Sequence, residues 1–324
     1  MPYVRPDVQM MLDLLAAQEG PKTHETDPAT ARAMMDMVFK MAERPAADLA
    51  IKKDFTIPGP AGGIPARLYD PRTSREPGPV MVFYHGGGFV IGNIETHDSL
   101  CSEAARTLDI PVVSVDYRLA PEAPFPAAPE DCIAATRWIA ASPDELGLQV
   151  TGLIPAGDSA GGNLAAVVSI DLRDNPAAVP VVAQWLIYPA TNMSAEGGSM
   201  AEFDEGYLLE AATMDWFGNH YAGDESDWRL SPVLKDTAGL PPTMLITASL
   251  DPLRDQGRTY AGKLIAAGVH TIYREASGSI HGFANLRQII PSAHDDVMAC
   301  LAALNLILEG VESEAAPEQA AAAE

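Results

Sequence analysis

Six short apolar runs, at 80–84, 111–115, 153–156, 183–188, 243–247 and 271–274, alternate with helical patterns at 98–107, 129–141, 160–173, 254–267 and 292–308. Runs this short, with little polar alternation, suit strands buried on both faces. Helical segments between successive strands give right-handed crossovers, so the pattern predicts a mostly parallel sheet covered by helices on both sides, the α/β class. Upstream, alternating apolar residues broken by PGPAGG at 58–63 predict an antiparallel pair, 49–57 and 63–69.

Two amphipathic segments, 7–19 and 28–43, precede this core, the second with Asp27 as N-cap and Pro28 at the first helical position. They predict a helical accessory segment over 1–45, outside a core spanning 46–309. Within that core the stretch 190–230 carries Gly197, Gly198, Trp216, Phe217, Tyr221 and Trp228. It is too long and too aromatic for a plain connection, so it reads as an insertion beside the site. The tail 310–324, rich in Ala and Glu without apolar periodicity, is expected to be disordered.

Composition excludes several classes. A formal net charge of −23 over 324 residues repels a phosphate backbone, so nucleic acid is not an expected partner. The C-terminal apolar run 298–304 is far too short for a membrane span, and the first residues lack a basic stretch followed by an apolar core, so neither span nor secretory leader is expected. Cys101, Cys132 and Cys300 form no CxxC pair, which disfavours a disulfide framework or zinc site and fits free thiols in a reducing cytoplasm. Neither cofactor nor metal is expected.

The chemistry gathers in four places. Gly157–Asp–Ser–Ala–Gly161 follows one apolar run and opens a small-residue helix, the setting in which a serine is presented on a sharp strand-to-helix turn. Ser159 is the candidate nucleophile. His85-Gly-Gly-Gly-Phe89 follows an earlier run, and consecutive glycines let backbone amides turn toward an oxyanion; no phosphate-loop pattern competes. A serine needs a base and the base a carboxylate, in chain order Ser, acid, His for this architecture. Of the late histidines, His270 opens a strand and His294 lies in the last helical pattern, whereas His281 stands between glycines after the final run. Asp251 falls at the C-terminal end of the run 243–247, where sites of open α/β sheets lie; Asp255, one turn on, is the alternate.

Together HGGGF at 85–89, DYRLAPE at 116–122, GDSAGG at 157–162, DPLRD at 251–255 and HGF at 281–283 resemble the bacterial hormone-sensitive-lipase family, family IV of the carboxylesterases, GDSAG type. The resemblance spans 45–309. It implies an eight-stranded α/β-hydrolase sheet, a cap built from the N-terminal helices and the 190–230 insertion, and Ser159, Asp251 and His281 as triad. It also implies Gly87, Gly88 and Ala160 as oxyanion donors, and hydrolysis of short- to medium-chain acyl esters with water as co-substrate. The family often dimerises, so a homodimer with the final strand at its edge is the assembly it allows. The same triad could serve an amide, lactone or carbamate, and a non-catalytic receptor of this fold would be expected to lack a triad member. Asp116 and Arg118 read as internally paired structural charges, Asp158 as a brace of the nucleophile's turn, and Phe89 as a pocket wall.

Overall fold

The computed structural model describes residues 2–17 and 19–322, with side chains through 311. The chain opens with α1 (Pro6–Ala16) and α2 (Pro28–Ala42), the latter capped by Asp27, whose carboxylate accepts from the Thr30 amide (3.1 Å) and hydroxyl (2.7 Å). The hairpin β1 (Ile51–Gly59) and β2 (Gly62–Asp70) comes next, then β3 (Gly78–Tyr84), α3 (Asp98–Leu108), β4 (Val112–Val115), α4 (Ala127–Ala140), β5 (Val150–Asp158) and α5 (Ala160–Asp174). After β6 (Gln184–Ile187), the excursion carrying α6 (Ser199–Glu202) and α7 (Ala211–Tyr221) leads to β7 (Thr243–Leu250), α8 (Arg254–Ala266), β8 (Thr271–Ile280) and α9 (Pro291–Ala322).

The eight strands form one sheet in the order β1-β2-β4-β3-β5-β6-β7-β8, in which only β2 runs against the others. Each face has its own apolar core. On β3, Val80, Val82 and Tyr84 join α4, α5 and α8 on one side, while Met81 and Phe83 join α3 and α9 on the other. That alternation is the period-two geometry of a strand buried on both faces.

Chain order reverses at the β3–β5 pair, the switch point where open α/β sheets leave a crevice beyond their strand ends. Pairing of Tyr84 with Gly157 brings the HGGG loop beside the serine turn, although 72 residues separate His85 from Gly157. Pairing of Leu250 with Ile280 does the same for Asp251 and His281.

Three elements depart from the sequence reading. β8 continues to Ile280 rather than 274: Ala-Ser-Gly-Ser reads as a loop, but pairing with β7 and burial of Ile280 keep it extended. The N-terminal segment divides. Val8 and Met11 of α1 join the core on the α9 side, where Arg5 pairs with Asp296, whereas Lys22 and His24 meet the start of α7 and Arg32 of α2 meets the loop after β3. The apolar stripe of α1 is buried by that sheet face, not by the cap. The tail expected to be disordered continues α9 as helical backbone to Ala322, in keeping with the high helix propensity of Ala and Glu.

Candidate active site

Ser159 is held between β5 and α5 with φ 55° and ψ −117°, a conformation disfavoured for a side-chain-bearing residue. The turn persists because its surroundings fix it: the Ser159 amide donates to Ile187 O (2.9 Å), and its carbonyl accepts from the Asn163 (3.0 Å) and Ala190 (3.2 Å) amides. Gly161 makes the approach possible, since a Cβ there would lie 1.9 Å from the Tyr84 carbonyl oxygen.

Ser159 Oγ lies 2.8 Å from His281 Nε2, and His281 Nδ1 lies 2.8 Å from Asp251 Oδ2. The other oxygen, Asp251 Oδ1, accepts from the Leu253 amide (2.8 Å), so the fully buried carboxylate is held from both ends. Asp255 takes no part. It accepts from the Ser199 amide (2.9 Å) and pairs with Arg254 and Arg258, tying α6 to the core. His270 is exposed at the start of β8, and His294 sits in α9.

Gly87 and Gly88 follow β3 in a loop closed by Val90 and Ile91 amides on the Gly87 carbonyl (3.1 and 2.9 Å). Among the described residues no protein acceptor takes a hydrogen bond from the Gly87 or Gly88 amide. The Ala160 amide, first in α5, has no intrahelical acceptor and stands at the positive end of the helix dipole. Gly88 has φ 60°, and a Cβ on it would lie 2.2 Å from Phe217 Cγ, so α7 rests on this loop. Phe89 stacks on Tyr221 with ring centroids 4.0 Å apart, and Leu208 lies over Gly282.

His85 braces the loop. Its Nδ1 donates to Gly86 O (2.8 Å), its ring stacks on Tyr117, and burial, then the neighbouring His97, push its pKa down to about 3. Arg118 pairs with buried Asp131, whereas Asp116 has no arginine partner among the described residues and faces His85 at 3.8 Å, so the expected internal pairing holds for only one of the two charges.

Asp158 does not brace its own turn. Oδ1 accepts from the Gly86 amide (2.8 Å) and lies 3.0 Å from His97 Nε2; Oδ2 accepts from Asn285 Nδ2 (3.3 Å) and the Tyr188 hydroxyl (3.4 Å). Burial alone would raise the Asp158 pKa, but the neighbouring His97 and hydrogen bonds from His97 and Gly86 outweigh it and hold it below its ordinary value. His97, Tyr188 and Asn285 carry no local pattern that singles them out in the sequence, because only strand order brings them here.

A family model described as alpha/beta hydrolase fold matches residues 81–285. The carboxylic ester hydrolase LipN of Mycobacterium tuberculosis is 43% identical over 275 residues, covering 82% of this chain and 72% of that protein. Esterase LipI of the same organism is 40% identical, covering 79% and 82% respectively. The solved hyperthermophilic esterase of the archaeon Pyrobaculum calidifontis superposes with a TM-score of 0.86 at 40% identity, over 95% of this chain and 99% of that one. Fold and site together define an α/β-hydrolase. Within that superfamily the chain belongs to the hormone-sensitive-lipase-like family IV of carboxylic ester hydrolases.

Proposed function

We propose that this protein is a serine carboxylesterase acting on short- to medium-chain acyl esters through an acyl-enzyme on Ser159. The observation that carries the reading is the unbroken relay of two 2.8 Å contacts from Ser159 through His281 to Asp251, set beside the Gly87, Gly88 and Ala160 amides. His281 takes the Ser159 proton as Oγ attacks the ester carbonyl, while Asp251 stabilises the imidazolium. The tetrahedral oxyanion lies on the three amides, after which His281 gives its proton to the departing alcohol. Water then enters, His281 deprotonates it, and a second tetrahedral intermediate collapses to release the carboxylic acid and restore the serine.

The chain-length range rests on the roof. Phe217 lies against Gly88 and Leu208 beside Gly282, and bulky side chains over these glycines favour short acyl groups in this reading.

Hydrolysis of p-nitrophenyl esters from acetate to decanoate tests the proposal, with a maximum expected at the short to middle lengths. Ser159→Ala and His281→Ala should each lose about 10⁶-fold in kcat, by analogy with the serine proteases. Asp251→Asn should lose about 10⁴-fold, while Asp255→Asn stays within about tenfold. Turnover that survives Ser159→Ala, or the reverse pattern at the two aspartates, would sink the assignment.

A further inference from the structure

The segment that carries the serine also carries a fully buried carboxylate that the two-step mechanism leaves unused. Asp158 precedes the nucleophile, is 4% exposed, and makes contacts to three other segments of the site. The first is Gly86, immediately before the two oxyanion glycines. The second is Asn285, four residues beyond His281 and itself 1% exposed. The third is Tyr188, whose ring packs against the His281 imidazole at 4.6 Å. The carboxylate therefore touches the oxyanion loop, the turn bearing the base and a ring that flanks the base.

A negative charge in this position would oppose the oxyanion that forms nearby unless it is balanced. His97 is set against it. Its Nδ1 shares a hydrogen bond with Thr96 Oγ1 at 2.8 Å. Its Nε2 lies 3.0 Å from Asp158 Oδ1, 3.1 Å from Asn285 Nδ2 and 3.4 Å from the Gly86 amide, at the junction of the same three groups. His97 is fully buried and packed edge-on to Phe39, away from water that could replace it.

We propose that Asp158, packed against His97, is a positioning residue of the reaction: it fixes the Gly86 amide, and through it the direction of the Gly87 and Gly88 amides, while Asn285 holds the His281 turn to the same point. The inference rests on Ser159 being the nucleophile. It replaces a role in the turn with a role in joining three separately encoded parts of the site.

The test uses the full-length chain, p-nitrophenyl butyrate as substrate and an alkyl trifluoromethyl ketone as a probe whose hemiketal oxyanion needs the same amides. Asp158→Ala should lower kcat by about 10² to 10³-fold, the size of losing an oxyanion donor, with KM within about threefold, and should weaken the ketone in parallel. Asp158→Asn keeps an oxygen acceptor for the Gly86 amide and should recover kcat to within about tenfold of the parent. His97→Asn, which removes the ring that meets Asp158, Gly86 and Asn285 together, should cost about 10²-fold in kcat. A folded Asp158→Ala protein that keeps kcat within threefold, or loses kcat with unchanged ketone affinity, overturns the proposal. Should Asp158→Ala fail to fold, His97→Asn decides, and undiminished turnover and ketone affinity there overturn it. Ser159→Ala runs alongside: residual turnover there strikes the esterase mechanism itself, whereas an inactive Ser159→Ala with normal Asp158 variants strikes only this inference.

Discussion

Asp116 faces His85 Nε2 at 3.8 Å, but His85 is neutral, so the contact supplies no counter-charge. Burial, and then the charge of Glu95, raise the Asp116 pKa to about 6. A carboxyl whose native pKa lies above its unfolded value favours the folded state while protonated. Its contribution is therefore full below about pH 4, is lost as pH rises toward 6, and becomes a constant cost above that. Asp116→Asn is expected to stabilise the protein above pH 6, with the gain vanishing near pH 4. Because a third of the side chain meets solvent, screening reduces the effect to about 1 kcal/mol. Urea midpoints of parent and variant at pH 4 and pH 7.5 measure it, and equal differences at both pH values would contradict the account.

Among the elements, α7 lies over the glycine loop after β3. Phe217 rests on Gly88, while Tyr221 stacks on Phe89 and ties the same helix to the loop. Phe217→Ala removes the ring over Gly88 and leaves the Ser159, His281 and Asp251 side chains in place. The ratio of kcat/KM for octanoate over butyrate should rise about fivefold or more, since each added methylene in an apolar pocket is worth about 1 kcal/mol or more. An unchanged ratio would remove α7 from the account of chain length. The elements nearest the chemistry were also the most legible in sequence. β3 and β5 are apolar runs ending in glycine clusters, and both signals are local. The last six residues of β8 were not legible, because Ala-Ser-Gly-Ser has no strand pattern of its own and is extended by its pairing with β7. His97 and Asn285 were invisible for the same reason: 188 residues apart, they meet only after the sheet is ordered. Asp158 was seen but misplaced, since its neighbours in sequence suggested a local turn while its partners lie in other segments.

Across the whole molecule, the segments around α7 come from distant parts of the chain. Lys22 pairs with Glu210, His24 meets Thr213, and Arg32 donates to the carbonyls of Val90 and Ala120, so the N-terminal segment meets both α7 and the glycine loop after β3. On the proposed mechanism, Phe217 and the oxyanion amides are therefore expected to move together. An acyl chain that props the roof apart must also lift Phe217 from Gly88, loosening the amides just when charge has to be stabilised. Lengthening the ester beyond the optimum is therefore expected to lower kcat about tenfold or more while KM changes less than about threefold, a pattern that steady-state kinetics on the ester series reads directly. A long ester would still occupy the protein and compete with shorter ones, acting as a slow substrate and hence an inhibitor. Selection of this kind is exercised at the moment of reaction rather than at the moment of entry.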